Sequence, residues 1–268
     1  MHITRLGTGV PPVFFVHGLA CDGTDWRAQV ETLSARTTVV TCDLPGHGLS
    51  PGTPAECTIE AYGIAVADAL ASLEVAPAIV VGHSMGCRVV LAASRARPDA
   101  VAGLVLVDGS RIGAGDPDAA GQSMADELVG DGYLRFMRSF FESMFVPSSD
   151  PLVRQTIIDR ALRFPAVLGR PLLTDLARWD AGEVEAVLDA VDVPLLAIQS
   201  TTMDTARERV SLSPGVMSVW LDLVGIHVPH ARSAILPGTS HFPQIERADE
   251  VTMLIADFVA ANETHTDP

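Results

Sequence analysis

Short, almost unbroken apolar runs alternate with longer amphipathic stretches along most of this chain, and no other feature narrows its fold so far. The runs are VFFVHG (13–18), TTVVTCD (37–43), AIVVGHS (78–84), GLVLVDG (103–109), VPLLAIQS (193–200) and RSAILPG (232–238). A strand with one wet face alternates polar and apolar residues. One that is apolar throughout is covered on both faces, as parallel strands are when crossover helices flank them. Helical patterns stand where such crossovers belong, at 25–35, 58–75, 85–98 and 243–261. The expected fold class is therefore α/β, with a mostly parallel, doubly wound sheet. With 48 % hydrophobic and 19 % charged residues over 268 positions, the core such a sheet needs is within reach.

The rhythm breaks once. Residues 110–190 hold no convincing strand but several amphipathic helical stretches, among them ADELVGDGYLRFMRSFFESMF and LVRQTIIDRALRF. Leu134, Phe136, Met137, Phe140, Phe141, Met144 and Phe145 are too many apolar positions for one core-facing stripe. A helical cap inserted into the sheet-bearing part is expected here, with 1–109 and 191–268 as the core and 110–190 as the lid.

Charge and cysteine usage exclude several classes. A formal charge of −15 with no basic stripe speaks against a nucleic-acid partner. No apolar stretch reaches membrane-spanning length without turn residues, so no membrane association is expected. The opening residues lack a basic region followed by an apolar core, and Cys21, Cys42, Cys57 and Cys87 show no metal-ligand or CxxC spacing. A cytoplasmic protein with reduced thiols, no metal and no organic cofactor, acting on a small-molecule substrate, is the expectation; oligomeric state is not readable.

The run at 78–84 ends in Gly82-His83-Ser84-Met85-Gly86, with a helical pattern directly after it. This fits G-x-S-x-G between strand and helix, a tight turn that projects the serine hydroxyl from the carboxyl end of the sheet, where open parallel sheets place their chemistry. Glycine on either side removes side chains that would strike the neighbouring strand and helix. Free N–H groups at the helix start favour negative charge beside the serine.

With these residues in view, the chain resembles the α/β-hydrolase fold superfamily over nearly its full length. Phe15-Val16-His17-Gly18, Asp43-Leu44-Pro45-Gly46-His47-Gly48-Leu49-Ser50, the serine elbow, the helical insertion and Gly238-Thr239-Ser240-His241-Phe242-Pro243 carry the likeness. The chain starts close to the family's second strand. The resemblance implies Ser84 as nucleophile and His241, in the loop after the last strand, as its base. His17, His47 and His83 lie in fold motifs where structural hydrogen bonds are expected, while His227 and His230 read as packing or surface residues. The backbone N–H groups of Leu19 and Met85 are the implied oxyanion hole.

The acid is less determined. The family's commonest position corresponds to the stretch ending at Asp204, which lacks the usual glycine and sits about one residue late. Asp108, at the end of the preceding strand, is the favoured alternative, as in certain lactonases and cofactor-free dioxygenases of this fold. The implied activity is hydrolysis of a carboxylic ester or lactone of a small, mainly apolar substrate through an acyl-enzyme. A cofactor-free dioxygenase of a heteroaromatic ring and a carbon–carbon bond hydrolase are the alternatives.

Overall fold

The computed structural model describes residues 1–203, 209–213, 216 and 218–262. In chain order the strands are β1 (His2–Leu6), β2 (Val13–Val16), β3 (Val39–Asp43), β4 (Ala78–His83), β5 (Val101–Val107), β6 (Leu195–Gln199), β7 (Thr201–Met203), β8 (Arg209–Ser211) and β9 (Arg232–Ile235). Seven of them form one sheet in the order β1-β3-β2-β4-β5-β6-β9. Every pairing in it is parallel except that of β1 with β3. β7 and β8 make a separate antiparallel pair.

The helices are α1 (Arg27–Leu33), α2 (Ile59–Ser72), α3 (Met85–Ala96), α4 (Pro117–Glu127), α5 (Gly132–Glu142), α6 (Pro151–Leu162), α7 (Ala166–Gly182), α8 (Val184–Asp189), α9 (Val219–His227), α10 (Pro243–Glu246) and α11 (Ala248–Asn262). The fully apolar strands are buried on both faces because their successive side chains enter two different clusters. On β2, Val13 and Phe15 pack with Trp26, Leu33 and Phe258, the side covered by α1 and α11. Phe14 and Val16 pack on the opposite side with Val66 and Leu70 of α2 and Val89 of α3. β5 divides in the same way, Val105 and Val107 to one cluster and Leu104 and Leu106 to the other. Each such side chain contributes roughly 1.5–3 kcal/mol by leaving water.

Between β5 and β6 the described chain is helical, α4 through α8, with no strand. Met137, Phe141 and Met144 of this segment are buried, Phe136, Phe140 and Phe145 are partly buried against the same cluster, and Leu134 is exposed. Polar contacts tie the segment to the sheet-bearing part. Arg160 of α6 donates to Asp22 at 3.0 Å and Asp25 at 2.7 Å, and Trp179 of α7 donates to Glu60 at 2.8 Å.

Two local readings need correction. The helical pattern at 243–261 is two helices, because Arg247 (φ −126°, ψ 46°) leaves helical geometry between α10 and α11. The β7–β8 pair has no counterpart among the expected strands; each is only three residues long, too short for a period-2 pattern to register.

Candidate active site

β4 ends at His83 and α3 begins at Met85, so Ser84 alone reverses the chain. Its φ of +55° and ψ of −114° lie where an L-residue pays about 1–3 kcal/mol. The glycines make the turn possible. A Cβ on Gly82 would stand 2.3 Å from the Gly86 carbonyl oxygen, and one on Gly86 would stand 2.6 Å from that of Val16. The Ser84 N–H donates to Val107 at 3.0 Å, which pins the elbow to β5. Ser84 is only partly buried, so its hydroxyl is within reach of solvent.

His241 arrives from the far end of the chain, in the loop between β9 and α10, and is wholly buried. Its N–H donates to Met144 at 2.9 Å, and its carbonyl accepts from His83 Nε2 at 2.7 Å. Ser200 Oγ donates to the preceding carbonyl of Ser240 at 2.7 Å. Thus fixed, the ring bridges two side chains: Nε2 lies 2.7 Å from Ser84 Oγ and Nδ1 lies 2.5 Å from Asp108 Oδ2. A carboxylate only accepts, so Nδ1 carries the proton and the Nε2 lone pair faces the hydroxyl.

Asp108 follows β5 in a left-handed conformation, φ +45°, and is fully buried. Oδ1 accepts the backbone N–H groups of Ser200 (2.7 Å) and Thr201 (2.8 Å). Oδ2 accepts the Thr201 hydroxyl at 2.5 Å as well as His241, with Arg209 Nη1 at 3.5 Å. Burial by itself would push this carboxyl up; the His241 contact, the Arg209 charge and the Thr201 hydroxyl overcome it and hold the group below its ordinary range. Burial and then the Arg209 charge lower His241 from 6.5 to about 4, against the pull of Asp108. The ring is neutral at neutral pH. A neutral imidazole aimed at a serine hydroxyl, and oriented by an ionised carboxylate, is an arrangement able to take that proton during nucleophilic attack.

The loop after β2 lies against the elbow. A Cβ on Gly18 would come within 3.3 Å of Ser84 Cβ, and Leu19 follows directly. Ala20, next in line, has φ +52°, so three of the four non-glycine residues with positive φ among those described (Ala20, Ser84 and Asp108, but not Glu74) cluster here. Strain concentrated in one place marks a site whose geometry the surrounding fold imposes. Asp204, the alternative acid, lies outside the described residues. The remaining fold-motif histidines spend their rings on backbone: His17 donates to Gly18 at 2.7 Å while accepting from Leu44 at 3.0 Å, and His47 faces the Pro45 carbonyl at 3.2 Å. His227 pairs with Asp189 at 2.8 Å and His230 with the Val193 carbonyl at 3.0 Å.

Several supporting residues escape sequence reasoning. Ser200 and Thr201, in the stretch that ends at Asp204, donate to Asp108. Arg88 and Asp180 form a buried pair, Nε–Oδ1 and Nη2–Oδ2 both at 2.7 Å, and Arg88 Nη1 also donates to the Ser84 carbonyl at 3.1 Å. The signal for Arg88 is a lone charge in the otherwise apolar helical run MGCRVVLAA; for Arg209 the local sequence holds none. Among the described residues no group of three or more His, Cys, Asp or Glu side chains is placed to hold a metal ion, and no helix is long and apolar enough to cross a membrane.

Comparison with known proteins bears on the family and the fold. The dihydrolipoyllysine-residue acetyltransferase component of the acetoin cleaving system of Cupriavidus necator is 32 % identical over 269 residues, 94 % of this chain and 64 % of that one. The chain thus spans less than two thirds of that relative's length. The pimeloyl–acyl-carrier protein methyl ester esterase of Methylococcus capsulatus is 28 % identical over 275 residues, covering 98 % of this chain and 99 % of that one. A thermophilic esterase from Thermogutta terrifontis has the same fold, with a TM-score of 0.78 at 24 % identity over 98 % of this chain and 93 % of that one. The family model described as "Alpha/beta hydrolase family" matches residues 13–253. By its sequence over that span, and by the sheet and elbow it folds into, the chain belongs to the alpha/beta hydrolase family.

Proposed function

We propose that this hydrolase cleaves a carboxylic ester or lactone of a small, mainly apolar substrate through an acyl-enzyme on Ser84. The observation that carries the reading is the unbroken hydrogen-bonded line from Ser84 Oγ through His241 to Asp108, at 2.7 and 2.5 Å. His241 Nε2 takes the serine proton as Oγ attacks the carbonyl carbon, and Asp108 stabilises the imidazolium that forms. The N–H groups of Leu19 and Met85 donate to the developing oxyanion, a role supported by the contact of Gly18 with Ser84 and by the position of Met85 at the start of α3. The imidazolium returns its proton to the leaving oxygen. A water, deprotonated by the same ring, then releases the acid and restores Ser84.

Residues 110–190 act in this reading as the cap. Its partly buried Phe145 stacks on Phe242, the neighbour of His241, with ring centres 5.3 Å apart, so an aromatic wall stands beside the reacting group. That wall supports an apolar acyl or aryl portion. The full-length likeness to a methyl ester esterase points to the same chemistry. A panel of aryl esters of rising chain length and several lactones, run against wild type and Ser84→Ala, tests the proposal. Turnover that is lost in the variant supports it; turnover that survives the variant refutes it.

The placement of Asp108 after β5 also fits a His–Asp base without serine acylation, as in a cofactor-free dioxygenase. Oxygen uptake on a hydroxyquinolone, together with no ester turnover, would establish that reading instead.

A further inference from the structure

We infer that Arg209 is a positioning residue for the proposed triad: its guanidinium, buried behind Asp108, fixes that carboxylate and discourages proton uptake by His241 before Ser84 attacks. The inference rests on the reading of Ser84, His241 and Asp108 as a triad. Arg209 opens β8 and stands in register with Met203 of β7. Its side chain is 2 % exposed. Nη1 donates to Thr201 Oγ at 2.8 Å, and that hydroxyl donates in turn to Asp108 Oδ2 at 2.5 Å; the same Nη1 lies 3.5 Å from Oδ2 directly. Nη2 reaches Ser110 Oγ at 3.4 Å. Arg209 and His241 therefore meet on one oxygen.

The other charges around the ring act on it less: that of Arg88 also lowers the His241 value, but by less than that of Arg209. From α3, Arg88 is matched by the bidentate Asp180 of α7. From β4, His83 contributes a ring centred 4.8 Å from that of His241, its own value pushed well below 6.5 by burial. From α10, Glu246 accepts the Ser240 N–H at 2.9 Å. Asp204, Arg207 and Glu208 lie outside the described residues. Among the described residues Asp108 is the carboxylate paired with Arg209, so an imidazolium at His241 must share a carboxylate that a guanidinium already occupies. Burial lowers Arg209 to about 10, which leaves it charged at neutral pH. Its charge follows burial as a cause of the lowered His241 value.

The arrangement keeps the base neutral in acid and predicts an acid limb of the activity profile well below pH 6.5. A ¹⁵N-histidine titration by NMR reads the ring directly in wild type, Arg209→Gln, Arg209→Met and Arg209→Lys, with His241→Gln assigning the resonance. The neutral variants should raise the midpoint by about one pH unit or more, and Arg209→Lys should restore most of the wild-type value. The acid limb of kcat/KM on an aryl ester should move with the midpoint. Two neutral variants guard against one that does not fold. A wild-type midpoint at 6.5 or above, or a neutral variant that titrates with wild type, overturns the inference. The titration needs no turnover, so a failure of the triad reading shows separately, as ester turnover indifferent to Ser84→Ala.

Discussion

A carboxylate as deeply buried as Asp108 stays ionised because the Arg209 charge stands beside it and four hydrogen bonds converge on it, from two backbone N–H groups, the Thr201 hydroxyl and the His241 ring. Asparagine in its place would keep the shape but offer the ring no charge and no reliable tautomer. Asp108→Asn is therefore expected to lower kcat by about 10³–10⁴-fold, while Asp204→Asn should change it little. Steady-state kinetics on a turned-over ester decide, and the reverse ranking would move the acid to Asp204. The difference in legibility between the three side chains has a physical origin. Ser84 is readable because its motif is local, five residues at a strand–helix joint. His241 is readable only through resemblance, since its partner lies 157 positions away. Asp108 stays ambiguous in sequence because what marks it is the cradle of Ser200 and Thr201, 92 and 93 residues on. Arg209 is not readable at all, because its burial is a property of the packed hairpin.

At the scale of elements, the joint between β4 and α3 depends on two backbones meeting without side chains between them. Gly82→Ala would drive a methyl into the carbonyl of Gly86, which cannot yield without moving the helix. A loss of about 3 kcal/mol is expected from denaturant unfolding; a change under half that would mean the elbow is looser than described. The join between α3 and α7 is of another kind. Asp180 is wholly buried, receives Arg88 through two bonds and also accepts the Ile112 N–H at 2.7 Å. Asp180→Ala strands a buried guanidinium and should cost about 3–5 kcal/mol, much of it recovered by adding Arg88→Met. No recovery in the double variant would show that the pair is not the source of the loss. The central strands are legible as elements because burial on both faces makes them continuously apolar. β1 is harder to read: on the sheet edge it is mostly exposed, with the sequence HITRL. The break between α10 and α11 is invisible because a backbone change at one residue leaves the helical pattern intact on both sides.

Across the whole molecule, stability should follow the protonation of buried rings. His17, His47, His83 and His241 all lie below their ordinary 6.5, burial being the largest cause in each. In the unfolded chain these rings gain protons as pH falls through about 6.5, while the folded rings resist. The unfolded state then binds more protons, so stability present above pH 6.5 is lost on acidification, for His241 down to about pH 4. Each ring contributes up to about 1.4 kcal/mol per pH unit within its window. Urea midpoints at constant ionic strength should be level between pH 7 and 8 and decline steadily below about 6.5; a level midpoint down to pH 5 would contradict the assignment of neutral, buried rings. The proposed chemistry depends on one oxygen, that of Ser84 at the elbow. The direct test is intact and peptide mass spectrometry after treatment with a fluorophosphonate. The account predicts a single adduct on Ser84 in wild type and none in Ser84→Ala or His241→Ala. A folded wild-type protein that stays unmodified, or one labelled at a different residue, would contradict it.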